Sequence, residues 1–238
     1  VRVHLNVMSS TGSISTSAFN AGTLFSISGG AQTIAVNDIN GDGKLDIVTG
    51  SSSGISVLVN TTSGGILSFA SSLNISGNIS SVRLADLNLD GKLDIAALNA
   101  GALSVYSNTS NGATVSFANA VQITLSATGF NGLDLADMNL DGKFDMIVSK
   151  SGTTNILTNN STQGSLSFSS PISLSVGHSY VAAVDLDIDG DNDLFLYNKV
   201  VNNGFTSGTL SSADFTSYNN SNGNDGDNLG LSVADFNG

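Results

Sequence analysis

The 238-residue chain reads as an all-β protein, a β-propeller of four-stranded blades. Three observations lead there. Charged residues make up only 11%, and every acidic residue is Asp, so little is available to clothe helix surfaces while Val, Ile and Thr are plentiful. A nine-residue acidic segment recurs at Asp38–Asp46, Asp86–Asp94, Asp137–Asp145 and Asp185–Asp193, and a fifth begins at Asp235; the steps are 48, 51, 48 and 50. A second marker keeps the same register: Phe19, Phe69, Phe117, Phe168 and Phe215, three of them preceded by Leu-Ser or Val-Ser. A period near fifty residues is the mark of blades, since a sandwich has no need of one.

The blades follow in order. Residues 1–30 form a partial blade, in which Val1 to Phe19 supplies the last two strands. Whole blades span 31–78, 79–129, 130–177 and 178–228, and 229–238 starts another. First strands alternate apolar residues ahead of each acidic segment: Ile34 and Val36, Val82 and Leu84, Leu133 and Leu135, Leu231 and Val233. Second strands are short apolar runs, such as Ile47-Val48, Met146-Ile147-Val148 and Leu194-Phe195-Leu196. Third strands, such as Ile55–Val59 and Leu103–Tyr106, lead to an Asn (Asn60, Asn108), and a Gly-bearing turn then reaches the Phe-marked fourth strand. Thr216 to Gly230, rich in Asn, Gly and Asp, is expected to be the least regular stretch. Ending halfway through its own fifth loop, the chain is expected to be an incomplete segment of a larger propeller and part of a longer chain.

Composition excludes several classes. A net charge of −12 leaves too few Lys and Arg to neutralise phosphates, so nucleic acid is not an expected partner. Without Cys there is no disulfide framework, thiolate metal site or Cys nucleophile. No apolar run approaches the roughly 20 residues of a membrane-spanning helix. The chain opens at Val1 directly in a strand, with no leader read ahead of it.

Oxygen-bearing side chains stand at positions 1, 3, 5 and 9 of each loop, with Gly at 6 allowing a positive φ. Alternate positions of a tight loop point to one centre, and hard, anionic oxygens suit Ca²⁺, which takes six to eight of them. Side chains of Asp38, Asn40, Asp42 and Asp46 are the candidate ligands of loop one, with the backbone carbonyl of Lys44. The same positions are Asp86, Asn88, Asp90, Lys92 and Asp94 in loop two, and Asp137, Asn139, Asp141, Lys143 and Asp145 in loop three. Loop four offers Asp185, Asp187, Asp189, Asp191 and Asp193, and the truncated fifth begins with Asp235 and Asn237. About four ions are expected, one per complete loop. An EF-hand is excluded, because position 12 holds Thr49, Ala97, Val148 and Leu196 where a bidentate Glu would be needed. Bare Asn/Asp-Gly turns would account for one such loop but not for four in register. Loops one to three each carry net −2; loop four, with five Asp and no Lys, should attract an ion most strongly.

The Asp-x-Asn/Asp-x-Asp-Gly-x-x-Asp loops, the repeat length and the Leu-Ser-Phe strands resemble the FG-GAP or VCBS-type calcium-binding repeats of integrin-α-like β-propellers. The resemblance covers essentially the whole chain. Phe-Gly and Gly-Ala-Pro signatures are absent, which favours a bacterial-type surface protein, and the blades number fewer than the seven usual in integrins. The resemblance implies an extracellular or cell-surface module for adhesion or ligand binding, with a surface protein or a glycan as partner. It also places the calcium loops on one face and ligands on the opposite face or between blades. The links there run at about Ala70–Ser80, Ala118–Gly132, Ser169–Ser179 and Thr216–Gly230, with Asn78, Phe130, His178 and Tyr180 as contacts. A passive scaffold in a very large secreted protein and a propeller-type polysaccharide lyase are the alternatives.

No catalytic centre is expected. His4 lies in a strand and His178 in a loop, without a supporting triad motif. Outside the loops only Asp134, Asp214, Asp225 and Asp227 remain, short of the opposed carboxylates of a glycosidase. Sequons at Asn60, Asn74, Asn78, Asn108, Asn159, Asn160 and Asn219 permit glycosylation without requiring it.

Overall fold

Alternating apolar residues fold each repeat into an up-and-down antiparallel meander. The computed structural model describes residues 1–6, 18–99, 102–112, 114–125, 127–197 and 199–219. Strands β3 (Ala31–Asn37), β4 (Asp46–Ser51), β5 (Gly54–Leu58) and β6 (Leu73–Ser76) form the first whole sheet, in that spatial order. The second comprises β7 (Ser81–Ala85), β8 (Asp94–Asn99), β9 (Ala102–Tyr106) and β10 (Val121–Ile123). The third runs β11 (Gly132–Ala136), β12 (Asp145–Lys150), β13 (Thr153–Leu157), β14 (Ile172–Leu174), and the fourth β15 (Ala182–Val184), β16 (Asp193–Leu196), β17 (Lys199–Asn203), β18 (Phe215–Asn219). Ahead of them, β1 (Arg2–Val3) pairs with β2 (Thr23–Leu24), the third and fourth strands of a preceding blade. Among the described residues no helix is long and apolar enough to cross a membrane.

The sheets stack face to face, with the first strands β3, β7, β11 and β15 side by side at the hub. Because successive side chains of a strand point to opposite faces, the central blades bury both. On β8, Ile95 and Ala97 pack with Val48, Ile55 and Val57 of the preceding blade. Ala96 and Leu98 pack with Leu133, Met146 and Val148 of the following one. A third core, with Ile147 and Ile156 against Leu194, Leu196 and Val201, joins the last two blades. One apolar layer thus lies between each pair of neighbouring sheets, which is propeller architecture.

The Phe markers do not begin regular fourth strands in the first three whole blades. Phe69, Phe117 and Phe168 make single bridges to Asn60, Asn108 and Asn159, and Phe19 does the same with Asn6. Pairing then resumes one residue out of step, at Leu73↔Val57, Val121↔Val105 and Ile172↔Ile156, the displacement of a β-bulge. Only the fourth sheet runs without a shift, from Asn203↔Phe215 to Lys199↔Asn219. The links expected at Ala70–Ser80, Ala118–Gly132 and Ser169–Ser179 are therefore shorter, because β6, β10 and β14 lie inside them. Likewise Thr216 to Asn219 is strand β18; the remainder of that stretch, with Leu231, Val233, Asp235 and Asn237, lies outside the described residues.

Gly54 opens β5 at φ 126°, where a Cβ would collide with the Ile75 carbonyl of β6. Gly54→Ala should cost about 1–3 kcal/mol, the usual scale of such backbone strain, and lower the melting temperature accordingly. A melting curve unchanged from the parent would refute this packing of β5 against β6.

Candidate metal centres and the hub

Each acidic loop joins a first strand to a second and winds around its own carboxylates. The position-1 Asp takes the amides of positions 5 and 6: Asp38 Oδ1 accepts from Asp42 N at 3.1 Å and Oδ2 from Gly43 N at 2.7 Å. Asp86 repeats this with Asp90 and Gly91, and Asp137 with Asp141 and Gly142. The position-3 Asn accepts from the position-5 amide, and the position-5 Asp from the position-7 amide (2.9 Å for Asp42 Oδ1 from Lys44 N). An anionic oxygen holding one N–H retains lone-pair capacity for a cation. In loops one to three the carboxylates thus shape the turn while keeping lone pairs for a cation, and Lys44 and Lys143 approach Asp42 (3.0 Å) and Asp141 (3.6 Å).

The position-9 Asp has a second, structural duty. Buried Asp46, Asp94, Asp145 and Asp193 each accept the position-2 amide on Oδ2 and, on Oδ1, the amide of an Asn ending the third strand. Those residues, Asn60, Asn108, Asn159 and Asn203, form a set whose role the sequence analysis did not assign. Three of them clasp the preceding blade. Asn108 Nδ2 donates to Ile39 O at 2.8 Å, Asn159 Nδ2 to Leu87 O at 3.0 Å, and Asn203 Nδ2 to Met138 O at 3.0 Å. Their recurrence after each third strand was the available signal. Three sequons fall on the set; of these Asn108 and Asn159 are buried and clasped, so the folded chain cannot present those two for glycosylation.

Position 4 also carries strain that the glycine at position 6 did not reveal. Loop one has Gly41 there at φ 74°, but the other loops hold Leu89, Leu140 and Ile188 at φ 59–65°. Left-handed backbone is costly for such side chains, most of all for β-branched Ile188, and persists only where the surroundings impose it.

Loop four differs. Oxygens of Asp185, Asp187 and Asp193 lie within 4.8 Å of one another, a ready cluster for a cation. Asp191, where the other loops have Lys, is buried and its Oδ1 has no hydrogen-bond partner. A buried carboxylate oxygen facing other carboxylates is costly unless a cation meets it. The donor set, all oxygen and largely anionic, therefore fits a hard divalent ion, which Asp185, Asp187 and Asp193 would hold.

Burial pushes the Asp94 and Asp145 carboxyls up to about 6 despite their amide bonds, and burial with the neighbouring aspartates does the same for Asp191. Lys44 beside Asp42 has the opposite effect, holding that carboxyl below its ordinary value. A raised folded-state value means that the folded chain keeps protons the unfolded chain has released. That stability is complete below the ordinary value and is lost as pH rises through the folded one. Metal-free protein should accordingly melt at falling temperature as pH rises from about 4 to about 7. Calcium, which favours the ionised carboxylates, should flatten or reverse the trend. A metal-free series of melting curves that rises over this range would contradict the burial of these groups.

At the hub, Arg83 Nε donates to Asp134 Oδ1 at 2.9 Å, while Asp134 Oδ2 accepts from Ala183 N at 2.9 Å. This chain of contacts ties the first strands of three blades and accounts for Asp134. The other expected contacts separate: Asn78 is exposed and His178 and Tyr180 are half-buried, but Phe130 is in the core with Lys150 Nζ 5.1 Å from its ring centroid. Phe130 is therefore no ligand contact. His4 and His178 lie in different parts of the fold, His4 against the Asn20 carbonyl and His178 stacked on Tyr197.

The FG-GAP-like repeat profile matches residues 38–97, 86–148 and 137–196, each match running from one acidic loop into the second strand after the next. The chain belongs to the FG-GAP-like repeat family. No curated protein matches it. Among solved structures, the FG-GAP-like blades are similar to part of the Photorhabdus luminescens Tc holotoxin pore, with 20% identity and a TM-score of 0.46. That match covers 71% of this chain and 8% of the other, so the chain spans a small fraction of that protein's length.

Proposed function

We propose that this FG-GAP-like chain is a calcium-stabilised, non-catalytic β-propeller module that acts outside the cell and binds a surface ligand, a protein or a glycan. Loop four carries the reading: three carboxylates converge within 4.8 Å beside the unpartnered Oδ1 of buried Asp191. Loops one to three, with the same donor positions, complete a set of about four calcium sites whose role is structural. Extracellular calcium modules work with dissociation constants near 10⁻⁴–10⁻³ M, which a low-calcium cytosol would leave empty, so the location follows from the metal. On this reading the partner meets the face opposite the loops.

Calorimetric titration of metal-stripped protein should count about four calcium ions per chain, with loop four filling first and Asp191→Asn weakening that step. Finding no bound calcium would remove both the metal and the extracellular reading. Calcium-loaded protein that retains four ions, yet binds neither cells nor any member of a glycan array, would leave a passive scaffold.

A further inference from the structure

The ligand-binding reading above can be given a site and a ligand class. A concavity of about 700 Å³ opens at the hub where the first strands begin, at the end of the sheets away from the acidic loops. Its walls alternate neutral hydrogen-bonding groups (Gln32, Ser80, Ser81, Asn131) with apolar ones, and Tyr180 and Arg83 stand among them. This is the size and texture of a small-molecule site.

Charge is divided along the strands. The four loops gather fourteen aspartates and three lysines at one end of the blades. Among the described residues, the other end holds Lys150 and Lys199, and the one carboxylate near the cavity is Asp134, already paired with Arg83. Arg83 spends Nε on Asp134 and Nη1 on the Val82 carbonyl; the described residues give Nη2 no partner. A guanidinium with a free N–H edge in a cavity is suited to a carboxylate. Of the nearby aromatic residues, Tyr180 lines the cavity, with its ring centroid 6.3 Å from that of His178. Such aromatic surfaces take the apolar face of a sugar ring while neutral side chains take its hydroxyls.

We propose that this hub cavity binds a carboxylate-bearing sugar, with Arg83 Nη2 on the carboxylate, Tyr180 against the ring, and Asn131 and Ser80 on the hydroxyls. The proposal rests on the chain being a ligand-binding module. The probes are glucuronate- and galacturonate-terminated oligosaccharides and their neutral glucose- and galactose-terminated counterparts, titrated in calcium buffer. Calorimetry is one readout, and tyrosine fluorescence is a second, undisturbed because the chain has no Trp.

The acidic probes should bind about 10- to 100-fold tighter than the neutral ones, the range for a hydrogen bond to a charged group. Arg83→Gln should abolish that preference, and Tyr180→Ala should weaken both kinds of probe. If Arg83→Gln alone melts early because Asp134 loses its partner, Arg83→Gln with Asp134→Asn restores neutrality and makes the same test. Equal binding of acidic and neutral probes, or a preference that survives both variants, overturns the site and ligand class and leaves the module reading intact. Binding of an acidic peptide but of no sugar also overturns the saccharide assignment. Silence toward every probe overturns it too, while the cell-binding and array results decide the wider reading separately.

Discussion

Chelating calcium is expected to lower the melting temperature of this chain by about 10–20 °C. With calcium about tenfold above its dissociation constant, each occupied loop adds roughly RT ln 11, about 1.4 kcal/mol, and four loops add about 5–6 kcal/mol. A chain of this size shifts by roughly 2–4 °C per kcal/mol. The effect is large because the loops join first strands to second, so loosening one frees the hub end of its blade. Loop four should contribute most, since without an ion three of its five aspartates converge, with a buried oxygen of Asp191 unmet. Differential scanning calorimetry with excess calcium and then excess chelator measures this. Superimposable curves would return the loops to plain turns.

Asn159→Ala should be nearly as damaging although the residue touches no candidate ligand directly from its side chain. Its Nδ2 serves the Leu87 and Phe144 carbonyls at 3.0 and 3.1 Å, and its Oδ1 accepts from Ser161 N at 2.9 Å. Truncation strands three backbone groups in a buried setting and opens a void. With each unmet group costing about 1–3 kcal/mol and some relaxation, a loss of about 3–4 kcal/mol is expected, or roughly 6–16 °C. Its exposed neighbour is the control: Asn160→Ala should change stability by less than about 0.5 kcal/mol. Urea unfolding of the pair checks both. Equal midpoints for the two variants would show that the clasp between blades carries no stability.

Much of this was legible in the chain because a repeat prints each rule several times. Four copies of the acidic segment in register with the Phe markers give the blade period, while alternating apolar residues give the first strands and short apolar runs the second. Two features were hidden. The bulge after Phe69, Phe117 and Phe168 leaves no composition signal, since it is a one-residue slip in pairing between otherwise ordinary strands. The interblade clasp is a contact between residues 65 to 72 positions apart, and an Asn that serves it looks the same as an Asn in a turn. Position 4 of the loops could have been suspected from Gly41, but Leu89, Leu140 and Ile188 masked the need for positive φ. At the hub, pairing Arg83 with Asp134 required knowing that first strands adjoin, which periodicity alone does not say.

The clasp points one way only: the Asn of a later blade always reaches back to the loop of the one before it. During synthesis, then, a loop cannot be closed by its neighbour until 65 to 72 further residues have been made. At about 5–20 residues per second this is a wait of roughly 3–14 s, during which the newest loop has only its own turn to hold it. The growing chain therefore always carries one unsecured loop at its newest end, held by its own turn alone until the next blade appears.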